Sequence, residues 1–165
     1  MSEKIVLVKI GGIDVVRKQQ SGCPMLKTTL GSCVGIILSD QGKGIHGMAH
    51  IMLPERVKKD PVLGKYADTA IPELLKRMED LGSSRESVRA YLIGGACMFK
   101  SNNGSDIARI GERNVETSKS ILSSLEVPVV YESTGGNHGM TVIFDGDAGK
   151  ITVRRLSKEL IGEKN

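Results

Sequence analysis

Two residue types in this chain could together cleave an amide or ester bond, a thiol and an imidazole. Cys33 lies in Thr28-Thr-Leu-Gly-Ser-Cys33-Val-Gly, and His50 follows seventeen residues later in Ala49-His-Ile-Met-Leu-Pro54. A thiol becomes a strong nucleophile near neutral pH when a base takes its proton, and histidine is the usual base. Gly31 and Ser32, just before the thiol, are small enough to let a substrate carbonyl approach, with backbone N–H groups nearby to hold a developing oxyanion. The structural alternative is a small buried strand cysteine and a hydrogen-bonded core histidine, since unpaired cysteine is among the most buried residue types.

Whether the two can meet depends on the elements that carry them. Val34 to Ser39 is rich in β-branched residues and reads as a buried strand, Asp40-Gln-Gly-Lys-Gly44 is a turn cluster, and Ile45 to Leu53 reads as a second strand. A hairpin closed by a four-residue loop at Asp40 to Lys43 sets Ser39 against Gly44 and Cys33 directly opposite His50, where Cβ atoms stand about 4.5–5.5 Å apart. A five-residue loop instead sets Val34 opposite His50 and turns Cys33 to the other face. Both registers are open at this level.

Elsewhere the pattern gives a strand at Lys4 to Ile10, the turn Gly11-Gly12, and an irregular stretch through Cys23-Pro24. Pro54 to Lys65, with Pro61 and Gly64, reads as a polar and mobile loop. A helix is expected from about Asp68 to Leu81, capped by Asp68 or Thr69, with Ile71, Leu74, Leu75 and Met78 on one face. A second helix runs from about Glu112 to Leu125 with Val115, Ser118, Leu122 and Leu125 on one face. Short strands are expected at Tyr91 to Ile93 and Val129 to Glu132, then a terminal hairpin of Thr141 to Phe144 and Ile151 to Leu156. Strands in hairpin-like pairs that do not alternate strictly with helices give an α+β fold of packed mixed or antiparallel sheets flanked by helices. The expected organisation is a single domain over residues 1–165, with a core of about 4–156 and a charged, frayed tail at 157–165.

Composition narrows the chemistry. With 39% hydrophobic and 25% charged residues the chain is an ordinary globular protein, not a disordered or fibrous one. Three Tyr, two Phe and no Trp leave few platforms for stacking bases, and a net charge of +4 scattered among acids is not a nucleic-acid footprint. Three widely spaced cysteines, Cys23, Cys33 and Cys97, give no disulfide framework and no Cys-x-x-Cys. His46 and His50 have i, i+4 spacing, which serves a metal only on a helix, so no metal and no organic cofactor is expected. The opening residues lack a signal-peptide pattern and no run approaches a membrane span, so the expected compartment is the cytoplasm.

The remaining candidates have plainer readings. Gly94-Gly95 and Gly135-Gly136 suit turns that need positive φ better than anion cradles. Cys97 reads as a packed thiol, Cys23 as an exposed one, and His138 as a solvated loop residue. His46 shares the strand parity of His50 but stands four residues away, too far to serve the same thiol. Met48, Met52 and Met98 read as adaptable packing.

Six motifs occur in order: Gly31-Ser-Cys-Val34, Ala49-His-Ile-Met-Leu-Pro54, Gly64-Lys-Tyr-Ala-Asp-Thr-Ala70, Gly94-Gly-Ala-Cys-Met-Phe99, Ile110-Gly-Glu-Arg-Asn-Val115 and Thr134-Gly-Gly-Asn137. This series resembles the chemoreceptor glutamine deamidase family, CheD, over about Ile10 to Leu156. The resemblance implies hydrolysis of selected receptor glutamines to glutamates with release of ammonia, on a fold like the catalytic domain of cytotoxic necrotizing factor toxins. It implies Cys33 as nucleophile and His50 as general base and acid. The family's third catalytic residue is a threonine six residues before the cysteine, a register that holds Lys27 here. Thr29 keeps the strand parity of that position, whereas Thr28 needs a one-residue slip. After Thr134-Gly-Gly-Asn137 the chain carries His138 and Met140 where the family usually has basic residues. The implied partners are the cytoplasmic helical domain of chemotaxis receptors and a CheC-type phosphatase. Lys27 leaves room for a rival reading, a non-catalytic adaptor for receptors or CheC. A hydrolase acting on small amides or thioesters is a third, and would turn over free glutamine.

Overall fold

The computed structural model describes residues 4–98 and 109–156; the tail expected to fray, at 157–165, and Phe99 of the Gly94 motif lie outside the described residues. Among the described residues nine strands and two α-helices follow one another: β1 (Ile5–Leu7), β2 (Ile13–Arg17), β3 (Met25–Leu30), β4 (Val34–Asp40), β5 (Ile45–Ile51), α1 (Ala67–Asp80), β6 (Arg89–Gly94), α2 (Ile110–Ser124), β7 (Val129–Thr134), β8 (Met140–Asp145) and β9 (Lys150–Arg155). They build two mixed sheets, one ordered β1-β3-β8-β9 and one ordered β2-β5-β4-β6-β7. The β1–β3 and β6–β7 pairs are parallel and the others antiparallel. The α+β class with packed sheets and flanking helices is therefore as the hairpin-like spacing predicts.

The central strands β4 and β5 of the five-stranded sheet are buried on both faces, and their alternating side chains divide between two cores. Even positions of β4 and odd positions of β5, Val34, Ile36, Leu38, Ala49 and Ile51, pack with the apolar faces of α1 and α2. Ile37 and Met48 point the other way and meet Leu26, Leu30, Val142 and Phe144 of the four-stranded sheet. Every residue of β4 and β5 is buried, so the central hairpin is the floor of one core and the roof of the other. In α1 the buried positions Ala67, Ala70, Ile71, Leu74, Leu75 and Met78 recur at helical spacing. Gly47 of β5 has no Cβ because Leu74 lies on it. Truncating Leu74 or Ile37 to alanine would cost about 2–5 kcal/mol by transfer and cavity terms together.

Two strands escape the sequence pattern. The stretch expected to be irregular holds β2, and β3, the strand on which the threonines lie, falls just after it where no element is expected. The helix caps also differ from expectation. Tyr66 is the N-cap of α1 and supplies no side-chain cap. Thr69 instead donates its hydroxyl to the Leu63 carbonyl at 2.5 Å, and Asp68 accepts the Arg56 N–H at 3.0 Å. These bonds tie down the loop read as mobile. Within it Asp60 accepts from Tyr66 Oη at 2.5 Å, from the Val62 N–H at 2.9 Å and from Lys65 Nζ at 3.3 Å. These donors, the Tyr66 hydroxyl first, hold the Asp60 carboxyl down at about 2.

Candidate active site

The central hairpin closes with Asp40 opposite Ile45 and Ser39 opposite His46, so the loop has the expected four residues but spans Gln41–Gly44. Gly44 takes φ +67 inside the turn, and Asp40 Oδ1 accepts the Lys43 N–H at 3.2 Å. The shift corrects both expected registers: Gly35 stands opposite His50, and Val34 opposite Ile51. Cys33 is two residues beyond Gly35 and packs against the core between the sheets. It lies in the bend just before β4, beside the same core between the sheets into which the His50 ring reaches to meet Thr28. Gly35 carries no side chain, and Leu30 Cδ1 lies 3.1 Å from where its Cβ would stand.

His50 is held by backbone and side chain together. Its N–H donates to the Gly12 carbonyl at 3.1 Å and its carbonyl accepts the Gly11 N–H at 2.8 Å. Its ring reaches across to the other sheet, where Nδ1 lies 2.8 Å from Thr28 Oγ1. The Thr28 hydroxyl lies 2.6 Å from the Val8 carbonyl, which can only accept, so the hydroxyl proton goes there. The Thr28 oxygen must then accept from His50, which fixes the tautomer: Nδ1 carries the proton and Nε2 keeps its lone pair. Nε2 is buried and has no hydrogen-bond partner among the described residues. Burial pushes the His50 pKa down, against a smaller upward pull from the Val8 carbonyl, so the ring rests neutral. Burial likewise pushes the Cys33 thiol up, so the sulfur rests protonated.

Thr28, not Thr29, is the threonine that reaches the imidazole. Leu26, Thr28 and Leu30 form the buried face of β3, whereas Thr29 is exposed on the opposite face, its hydroxyl 3.3 Å from that of Thr141. Lys27 shares the outer face, paired with Leu7. The residue in the resemblance's threonine register thus lies away from His50, and with it the feature that favoured an adaptor.

The bend that carries the thiol is gripped from two sides. Successive carbonyls of Gly31, Ser32 and Cys33 accept from the Ala96 N–H at 2.9 Å, from Asn114 Nδ2 at 3.1 Å and from the Gly95 N–H at 2.8 Å. The glycine pairs are turns, as expected: Gly94 and Gly95 take φ +104 and +69, and a Cβ on Gly94 would collide with the Cys33 carbonyl. Gly135 donates to the Gly94 carbonyl at 2.9 Å, and Cys97 donates its N–H to Gly136 at the same distance. Asn114 is buried and was not singled out by sequence reading. Its signal was a polar residue on the face of α2 that buries Val115, Ser118 and Leu122.

The other thiol–imidazole neighbours lie at the far end of the hairpin. His46 Nδ1 is 2.8 Å from Ser39 Oγ, and His46 Nε2 and Cys23 Sγ both lie against Gly146. Cys23, expected to be exposed, is buried. Its pKa is pushed up to about 11 by burial first and by Asp147 and Asp145 second, which disfavours a thiolate there. Among the described residues no group of three His, Cys, Asp or Glu could hold a metal ion, and no helix is long and apolar enough to cross a membrane.

This geometry sits in a chain with close relatives of known kinship. A family model described as CheD chemotactic sensory transduction matches residues 52–155. The chain belongs to the CheD family. It is similar to a protein of Methanococcus vannielii named probable chemoreceptor glutamine deamidase CheD, 44% identical and covering 92% of this chain and 95% of that one. One of the same name from Lachnoclostridium phytofermentans is 43% identical with the same coverage. The chemoreceptor glutamine deamidase CheD of Halalkalibacterium halodurans is 42% identical over 82% of this chain and 83% of its own. Among solved structures, a DUF152 protein of Neisseria meningitidis shares 12% identity at a TM-score of 0.49, covering 87% of this chain and 75% of that one.

The two buried, neutral imidazoles of this CheD-family chain give a pH signature. His46 and His50 are both lowered by burial from an ordinary value of 6.5. Below that value the unfolded chain binds the extra protons, so this contribution to stability is complete above it and is lost as pH falls through the lowered folded values. Thermal melts should therefore hold a steady Tm from about pH 8 to 6.5 and decline below it, before the carboxylate range is reached. A His46→Gln variant should show a shallower decline; an equal slope in both proteins would contradict the assignment.

Proposed function

We propose that this protein is a protein-glutamine deamidase that converts glutamine side chains of chemotaxis receptors to glutamate, with Cys33 as nucleophile, His50 as base and acid, and Thr28 as the residue that orients the imidazole. The observation that carries this reading is the Val8–Thr28–His50 relay, which leaves Nε2 as a buried acceptor without a hydrogen-bond partner among the described residues, beside the core between the sheets against which Cys33 also packs. The names of the relatives supply the substrate class.

Because thiol and imidazole both rest neutral, proton transfer accompanies attack rather than preceding it. Nε2 takes the thiol proton as sulfur bonds to the carboxamide carbon of the substrate, and the carbonyl oxygen becomes an oxyanion. The imidazolium then gives that proton to the departing nitrogen, ammonia leaves, and a thioester remains on Cys33. Nε2 next takes a proton from water; the hydroxide attacks the thioester, and the thiolate leaves and recovers its proton from the imidazolium. The product is a glutamic acid side chain, which loses its proton to solvent or to the released ammonia and so ends as the carboxylate. Thr28 does for this ring what a buried Asn or Asp does in other Cys–His sites, with less charge stabilisation because a hydroxyl is neutral.

The proposed substrate is the cytoplasmic helical part of a receptor, where each conversion adds one negative charge to a helix surface. The test is incubation of a receptor cytoplasmic fragment with this protein, followed by peptide mapping and an ammonia assay. Conversion of a defined set of glutamines with matching ammonia release, and no turnover of free glutamine, is the expected result. Binding of the fragment with no conversion would favour the adaptor, and turnover of free glutamine a small-molecule hydrolase.

A further inference from the structure

The Asn114 side chain joins the two halves of the site. Its Nδ2 donates one hydrogen to the Ser32 carbonyl at 3.1 Å and the other to the Met52 carbonyl at 3.2 Å. Ser32 precedes Cys33, and Met52 lies two residues after His50. Both acceptors are carbonyls, so the orientation of the amide is unambiguous: nitrogen toward the site, oxygen away from it. That oxygen, Oδ1, is buried and has no hydrogen-bond partner among the described residues, and Asn114 itself is 0% exposed. A buried orphan of this kind calls for a reason. On this helix face, shared with Val115, Ser118 and Leu122, an aliphatic residue would pack without leaving it.

The reason lies in the peptide that Asn114 grips. Of the three carbonyls held in the bend, those of Gly31 and Cys33 take backbone N–H groups, while that of Ser32 takes only a side chain. The Ser32 carbonyl and the Cys33 N–H belong to one peptide, and no peptide bond in the described chain is cis. In a planar trans peptide the N–H points opposite to the C=O. Holding the carbonyl toward α2 therefore aims the N–H of Cys33 away from α2, on the opposite side of the bend.

We propose that Asn114 is a positioning residue that locks the Ser32–Cys33 peptide so that the Cys33 N–H is presented to the oxyanion formed when the thiol attacks. This rests on the reading of Cys33 as the nucleophile of a deamidase. A donor aimed at a developing oxyanion contributes mainly in the transition state, so its loss lowers kcat rather than raising KM.

The experiment compares the native protein with Asn114→Ala on a receptor cytoplasmic fragment, measuring kcat, KM and the melting curve. Alkylation of Cys33 by iodoacetamide is followed in the same samples. Alkylation needs an accessible thiolate but forms no oxyanion, so it separates positioning of the peptide from general loosening of the site. The expected result is a fall in kcat on the order of 10²-fold, with KM and the alkylation rate of Cys33 within about twofold of native. If Asn114→Ala melts below the assay temperature, Asn114→Asp, which keeps the shape and lacks the N–H donors, is read in its place. An unchanged kcat overturns the proposal. A parallel loss of kcat and alkylation overturns it as well, since Asn114 would then be structural only. A native protein that deamidates nothing would sink the deamidase reading, and this inference with it, before any variant is compared.

Discussion

Replacing Cys33 by alanine is expected to reduce deamidation of a receptor fragment by on the order of 10⁵-fold or more while leaving the fold and fragment binding intact. The size of the effect follows from the chemistry: without sulfur there is no thioester, and His50 would have to activate water against an amide with no covalent intermediate. The fold should tolerate the change because Cys33 is only half-buried and donates no hydrogen bond that holds the bend. The grip there comes from carbonyls, which alanine keeps. Cys33→Ser should be nearly as inactive, since a serine hydroxyl beside a neutral imidazole lacks the sulfur's nucleophilicity. Turnover assays with a melting curve for each variant check this. Deamidation by Cys33→Ala at more than a small fraction of the native rate would mean that another group attacks.

The second large effect separates two adjacent threonines. Thr28→Val keeps the shape and β-branching of the side chain and removes only the hydroxyl. It strands the Nδ1–H of His50 and the Val8 carbonyl together, a burial cost of about 1–3 kcal/mol for an unsatisfied group. It also frees the ring to turn or to change tautomer. Activity should fall roughly 10²-fold, less than the ~10⁴-fold loss seen when a buried carboxylate in the same role is neutralised. Thr28→Ser, which keeps the hydroxyl, should recover most of it. Thr29→Val should leave activity within about twofold of native, because its side chain is exposed on the outer face with Thr141. Equal losses in the Thr28 and Thr29 variants would contradict the geometry.

The contrast between these threonines shows what the sequence could and could not convey. In Met25–Leu30 the alternation of Leu26, Thr28 and Leu30 with Lys27 and Thr29 has the period of a half-buried strand. The irregular reading of the preceding Cys23-Pro24 hid it, and parity counted from the position of Lys27 then pointed to Thr29. β2 was hidden for another reason: Asp14 interrupts the apolar sequence Ile13–Val16, and every one of those residues but Val16 is only partly buried. The central hairpin was legible because β4 and β5 are buried throughout and flank a polar, glycine-rich turn.

Its register illustrates a finer point. The turn lies one residue further along than expected, because Gly44 with φ +67 belongs to the turn rather than to the strand. That changes the pairing by two residues, an even number, and so leaves Cys33 and His50 on one face. A change of one would have separated them. The helical pattern marks Asn114 as a polar residue on the buried face of α2, but its partners and the Val8 carbonyl are beyond reach of any local pattern, since they meet only when the sheets and α2 pack. The same holds for loop 54–65, whose bonds to Asp60 and Asp68 depend on where α1 begins.

The account turns on Cys33 as the sulfur that attacks a glutamine side chain, and the three cysteines of the chain allow that to be read directly. A receptor-fragment peptide in which the glutamine carboxamide is replaced by a diazoketone carries an electrophile at the carbon the nucleophile must reach. The account predicts one label per protein chain, mapped by mass spectrometry to Cys33, blocked by the parent glutamine peptide and strongly slowed in His50→Gln. A label on Cys23 or Cys97, or on Cys33 at the same rate with and without His50, would contradict it.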